Sequence, residues 1–159
     1  MADNRNVFMY GGAGTGKSHL LVGVLKNINE LSSDKRCLFV SVPKLLSNIK
    51  KSFNEPYNER GEAYYMQLLA DSDVLGLDDI GGELSMNTNK QATDFTINIL
   101  CNILNAREGK STLFTSNLTI EQLSELMDER IISRVKTNVI YMDFNNISDK
   151  RPIANTLNK

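Results

Sequence analysis

Gly11-Gly12-Ala13-Gly14-Thr15-Gly16-Lys17-Ser18 carries the strongest chemical signal in this sequence. It matches the phosphate-binding pattern G-x-x-x-x-G-K-[ST], and it lies between an apolar run that reads as a strand and an amphipathic run that reads as a helix. The chemistry it points to is nucleotide binding. Glycines let successive backbone N–H groups converge on phosphate oxygens, and the positive end of the following helix faces the same anion. Lys17 would reach the β- and γ-phosphates of ATP, and the Ser18 hydroxyl would ligate Mg²⁺. The expected nucleotide contacts are Gly12, Ala13, Gly14, Thr15, Gly16, Lys17, Ser18 and His19. His19 either helps hold the loop or packs as a partly buried histidine. Nothing beside it in sequence marks it as a base, so the packing role is the one expected.

Three further segments could complete such a site. Val74-Leu75-Gly76-Leu77 is apolar and runs straight into Asp78-Asp79. A buried strand that delivers acidic groups at its C-terminal end suits an α/β ligand site. Asp78 would then hold Mg²⁺ through water, and Asp79 would polarise the attacking water. Alternatively, the two aspartates simply end a strand and cap a turn. Asn117, closing Thr112-Leu113-Phe114-Thr115-Ser116, would orient water or sense the γ-phosphate if its strand lies between the first and third; an asparagine that only caps the next helix is the competing reading. Arg130 and Arg134 fall four residues apart on one helical face. Arginine's fixed fork of donors suits a phosphoryl transition state, and one supplied by a neighbouring subunit can raise hydrolysis about a thousandfold or more. Local pairing with Asp128 or Glu129 is the alternative.

Short apolar runs alternating with longer amphipathic ones predict a parallel sheet covered by helices. Strands are expected at 7–10, 38–42, 74–77, 112–115 and 139–142. Helices are expected at 17–31, from Pro43 to about Phe53, at 62–70, at 90–107, from a Thr119 cap with Gln122 as its capping-box partner, and over 130–135. Residues 54–60 and 85–89 read as polar loops, and the tail over 144–159 as fraying. A chain of 159 residues, 41% hydrophobic and 23% charged, suits one globular domain, 1–159, with a short leader at 1–6. Lysine and arginine number 18 against 19 acidic residues, which excludes a uniformly basic nucleic-acid binder. No apolar run is long enough to span a bilayer and no secretory segment opens the chain, so no membrane partner and a cytoplasmic location are expected. Cys37 and Cys101 stand alone in apolar stretches and read as buried thiols.

Taken in order, these motifs resemble the AAA+ ATPase core of bacterial replicative-helicase loaders of the DnaC/DnaI type, with the transposition helper IstB and the initiator DnaA as near relatives. The resemblance rests on the phosphate loop followed by His19-Leu20, on Leu77-Asp78-Asp79-Ile80-Gly81-Gly82-Glu83, on Thr115-Ser116-Asn117-Leu118 and on Glu129-Arg130-Ile131-Ile132-Ser133-Arg134, within about 7–142. It implies a P-loop NTPase three-layer α/β sandwich, RecA-like, with a five-stranded parallel sheet. It further implies Lys17 and Ser18 at the nucleotide, Asp78 on magnesium, Asp79 as catalytic acid, Asn117 as first sensor, and Arg134, with Arg130 beside it, as a finger acting on a neighbour's nucleotide. The implied partners are the replicative DNA helicase, single-stranded DNA and further copies joined head to tail. Two departures are expected: no helicase-contacting region before the first strand, and no C-terminal helical lid. In the loaders an arginine after the last strand can serve as second sensor, and here Lys150 or Arg151 would correspond. For DNA, the basic hints are Lys50-Lys51, Arg107 to Lys110 and Arg134 to Lys136. The other functions compatible with the phosphate loop are an IstB-like transposition helper, a small nucleotide kinase and a nucleotide-responsive adaptor with little hydrolysis. A kinase needs an arginine-rich lid, and no such arginine cluster is evident.

Overall fold

The computed structural model describes residues 4–54, 60–82, 84 and 92–151. The elements run β1 (Asn6–Tyr10), α1 (Lys17–Leu31), β2 (Cys37–Ser41), α2 (Val42–Ser52), α3 (Glu62–Asp71), β3 (Val74–Asp78), α4 (Asp94–Ala106), β4 (Ser111–Ser116), α5 (Ile120–Leu126), α6 (Glu129–Lys136) and β5 (Val139–Asp143). All five strands pair in parallel in the order β2-β3-β4-β1-β5. β4 therefore inserts between β1 and β3, the condition on which a role for Asn117 depended.

Alternation along the strands sorts the core into two layers, because successive side chains point to opposite faces. Phe8 and Phe114 join the larger cluster with Leu45, Ile49, Leu69, Ile99, Leu100, Ile103 and Ile131 from the helices on one face. Their neighbours Met9 and Leu113 turn to the other face, where Leu21 and Leu25 of α1 cover them. The result is the three-layer α/β sandwich expected. Among the described residues no helix follows β5, and none is long and apolar enough to cross a membrane.

Several boundaries differ from expectation for local reasons. Val42, a residue type that favours strands, opens α2 instead of closing β2; it is fully buried, and Pro43 sits in the first helical turn, where its missing N–H costs nothing. α4 starts at Asp94, not near 90, because the Thr93 side chain accepts the Thr96 N–H and caps the helix there. The expected starting residues 90 and 91 and the expected loops at 55–59 and 85–89 lie outside the described residues. The capping box of Thr119 and Gln122 is present on α5. Cys101 is buried, but Cys37, at the start of edge strand β2, is only half-buried. The tail does not fray directly after β5. Phe144 is buried against Met9 and Leu21, its N–H bonds to the Tyr10 carbonyl, and the chain turns back along the phosphate loop as far as Arg151.

Candidate nucleotide-binding site

Parallel register decides which loop residues meet. Tyr10 lies opposite Ser116, and Leu77 opposite Phe114. The segments after these residues therefore emerge together at the C-terminal edge of the sheet, where α/β folds bind ligands. They are the phosphate loop, Asn117 and Asp78-Asp79. All of them line one open cavity of about 820 Å³, shared with Ser18, His19, Thr115, Lys150 and Arg151.

Lys17 anchors this cavity. It is buried, which lysine rarely is without partners. Its ammonium donates to the carbonyls of Gly11 at 2.6 Å and Gly12 at 2.7 Å, and to Asn117 Oδ1 at 3.1 Å. Burial pushes its pKa below the ordinary value, against the pull of Asp79 and Asp78. Asn117 also donates from Nδ2 to Asp79 Oδ1 at 3.3 Å, so one amide links the lysine to the acid.

Thr115 links the Asp78 carboxylate to the Asp79 backbone. Its hydroxyl donates to Asp78 Oδ1 at 2.7 Å and accepts the Asp79 N–H at 2.9 Å, while its carbonyl accepts the Ile80 N–H. These bonds accompany a left-handed backbone at Asp79, φ 60°, a conformation uncommon outside glycine. The turn folds Gly82 over the Asp79 carboxylate, where an added Cβ would stand 2.1 Å from Oδ2. Burial, then the neighbouring Asp78, hold the Asp79 carboxyl above the usual carboxylate range, with Lys17 opposing. In the sequence Thr115 was read only as part of the segment leading to Asn117, with no role of its own; a buried threonine in a strand is ordinary, and only the register of β3 on β4 reveals its bonds to the aspartates.

The remaining candidates divide. Gly12, Ala13, Gly14, Thr15 and Gly16 form the loop before α1, closed by a bond from Thr15 Oγ1 to the Gly12 carbonyl at 2.9 Å. Ser18 is exposed beside the cavity. His19 is exposed on α1 at the cavity's rim, which corrects the expectation of a packing histidine. Its position in the first turn of α1, directly after the loop, turns it outward. Arg130 and Arg134 are not part of this cavity. Arg130 pairs with Asp128 at 2.8 Å, the local pairing that sequence left open, and Arg134 Nη1 donates to the Arg130 carbonyl at 2.9 Å. The Arg134 carbonyl accepts from Asn6, at the start of β1, whereas the phosphate loop follows Tyr10 at its end. A strand of that length separates the two by ~13 Å. The basic hint at Arg107 to Lys110 is also corrected. Arg107 is buried and gives its guanidinium to carbonyls of Leu69, Ser72 and Ser111, and Lys110 donates to the Ala70 carbonyl.

Against known proteins, the chain matches the family described as the bacterial DnaA ATPase domain over residues 2–142. This chain belongs to the bacterial DnaA ATPase domain family. The initiator DnaA of Nitrosomonas eutropha is 27% identical over 80% of this chain and 26% of its own length. That of Bacteroides thetaiotaomicron is 32% identical over 84% of this chain and 26% of its own. The chain thus spans about a quarter of the curated DnaA proteins it matches. Among solved structures, DnaI superposes with a TM-score of 0.71 at 22% identity, covering 89% of this chain and 74% of that one. The DnaC helicase loader superposes at 0.69 with 22% identity, covering 89% and 78%. A DnaA bound to AMPPCP and single-stranded DNA does so at 0.69 with 19% identity, covering 89% and 40%. The DnaA-family fold is therefore that of initiators and loaders alike.

The donors present suit a metal that arrives with phosphate. Mg²⁺ takes one or two protein oxygens and fills its shell with phosphate and water. Ser18 and Asp78 offer a hydroxyl and a carboxylate on the DnaA-family cavity, and among the described residues no group of three histidine, cysteine or acidic side chains could hold a metal alone.

Proposed function

We propose that this chain binds and hydrolyses ATP with Mg²⁺ between subunits assembled head to tail, and that its ATP state drives loading of the replicative DNA helicase onto single-stranded DNA. The observation that carries this reading is the convergence of Lys17, Asp78, Asp79 and Asn117 on one cavity at the ends of β1, β3 and β4. In it the loop amides and Lys17 bind the triphosphate, with Ser18 and Asp78 holding the metal. Magnesium held there would supply charge neutralisation on the phosphates. Asp79 takes the proton of the attacking water, and Asn117, bonded to both Asp79 and Lys17, aligns acid with phosphate. A raised pKa suits a group that must accept a proton.

Head-to-tail assembly is supported by where Arg134 lies. It lies outside the cavity of Lys17, with its carbonyl at the far end of β1, which favours a role on another copy's nucleotide, and such heterologous contacts form rings or spirals. DNA contact is supported at the end of α2. Lys50 stands 5.0 Å over the Phe95 ring, and Phe53, 61% exposed, packs edge-on to it beside exposed Lys51. Cations interleaved with an exposed ring suit a single strand, whose bases stack on aromatics.

The test is ATP turnover and particle size of the chain alone, with single-stranded DNA, and with a replicative helicase, using Lys17→Ala as control. Stimulated turnover and assembly that Lys17→Ala abolishes are expected; no magnesium-dependent turnover in any arm would overturn the reading. The family assignment favours a second reading, an initiator-type ATPase that assembles on DNA without handing on a helicase. DNA-dependent assembly indifferent to helicase would select it.

A further inference from the structure

We propose that Asp149 sets the affinity of the nucleotide site: it lies on the phosphate loop, opposes bound phosphate and occupies Arg151, so that nucleotide binding transfers Arg151 from Asp149 to phosphate. The inference rests on the nucleotide reading above. After β5 the chain crosses the loop and touches it twice. At Gly11 an added Cβ would stand 2.7 Å from the Phe144 carbonyl carbon, and at Gly14 it would stand 2.0 Å from Asp149 Oδ1. At the second of these points the Lys150 N–H also donates to the Gly14 carbonyl at 2.8 Å. Gly14 thus leaves room for an acidic side chain on the very loop whose amides face an anion.

Arg151 pins that side chain. Its backbone N–H reaches Asp149 Oδ1 at 2.9 Å, its Nε reaches both carboxylate oxygens at 3.0 Å, and Nη2 closes on Oδ2. The pairing holds the Asp149 carboxyl down at about 2, so it is charged at neutral pH. Both Lys150 and Arg151 line the cavity of Lys17. A guanidinium fork fits phosphate as well as carboxylate. Phosphate arriving at the loop repels Asp149 and competes for its partner, so the two anions exclude one another.

Labelled ATP and ADP titrated with Mg²⁺ into the whole chain test this. The variants are Asp149→Asn, whose side chain has the same shape, Asp149→Ala, Arg151→Ala, the double change Asp149→Asn/Arg151→Ala, and Lys17→Ala; thermal melts check folding. Asp149→Asn and Asp149→Ala are expected to bind about five- to tenfold tighter, from removing one like charge near the phosphates. Arg151→Ala is expected to bind more weakly, and the gain from Asp149→Asn to fall below half in its background. Saturable wild-type binding with Asp149→Asn unchanged or weaker overturns this inference alone, and an undiminished gain without Arg151 overturns the transfer. No saturable wild-type binding overturns the nucleotide reading and this inference with it.

Discussion

The Asp79 carboxylate lies between Asp78, which repels it, and Lys17, which attracts it, and its proton is held to higher pH in the folded chain than in the unfolded one. The folded state therefore gains relative stability as pH falls through that raised value, and carries the cost of the charge above it. Asp79→Asn should melt at a higher temperature than wild type at pH 8, with the gap narrowing as pH falls through the raised value. The Asn117 amide keeps an oxygen to bond. Turnover of ATP should fall about a hundredfold or more while nucleotide affinity changes only a few-fold, because the proton acceptor is lost and the phosphate contacts are not. Equal melting curves at pH 8 would refute the assignment of strain to this carboxylate. At this scale Lys17, Asp78, Asp79 and Asn117 were legible as candidates, since each ends or follows a recognisable run. Thr115 was not, because its hydroxyl acts through a strand that lies 37 residues away in sequence at Asp78.

Elements are tied together beneath the site by Arg107. Its guanidinium joins the last turn of α3 to the ends of α4 and β4 through Leu69, Ser72, Ser111 and the Thr112 hydroxyl. Burial lowers its pKa to about 10, with Asp73 opposing, yet it stays charged at neutral pH. Arg107→Met should destabilise the chain by about 3 kcal/mol, since the carbonyls of Leu69, Ser72 and Ser111 lose the bonds Arg107 donates inside the fold. Urea denaturation reads this directly, and an unchanged midpoint would rule the strut out. In sequence Arg107 read as one of the basic hints for DNA, because the partners that hold it at the end of α3 lie far away in the chain. The tail misled in the same direction: a polar run after a last strand normally frays, but Phe144 gives this one an apolar anchor and the Gly14 carbonyl a second hold.

For the whole molecule, the decisive geometry is the length of β1 between Arg134 and the phosphate loop. If Arg134 completes a neighbour's site, Lys17→Ala and Arg134→Ala should each lose turnover, and mixing the two should restore part of it. In a mixed assembly an intact phosphate loop on one copy meets an intact arginine on the next. A mixture as inactive as its components would place Arg134 outside the reaction. The sequence alone determined the phosphate loop, the acidic strand end, the alternation of strands and helices and the capping box of Thr119 and Gln122, all written in residues a few positions apart, where hydrogen bonds and periodicity act. Only the tertiary structure decided that β4 lies between β1 and β3, that Thr115 bridges the two aspartates, that Asp149 comes to rest on Gly14, and that Arg134 lies outside the cavity of Lys17. Those outcomes depend on which strands pair and in what register, and pairing is set by burying the apolar faces of segments far apart in the chain.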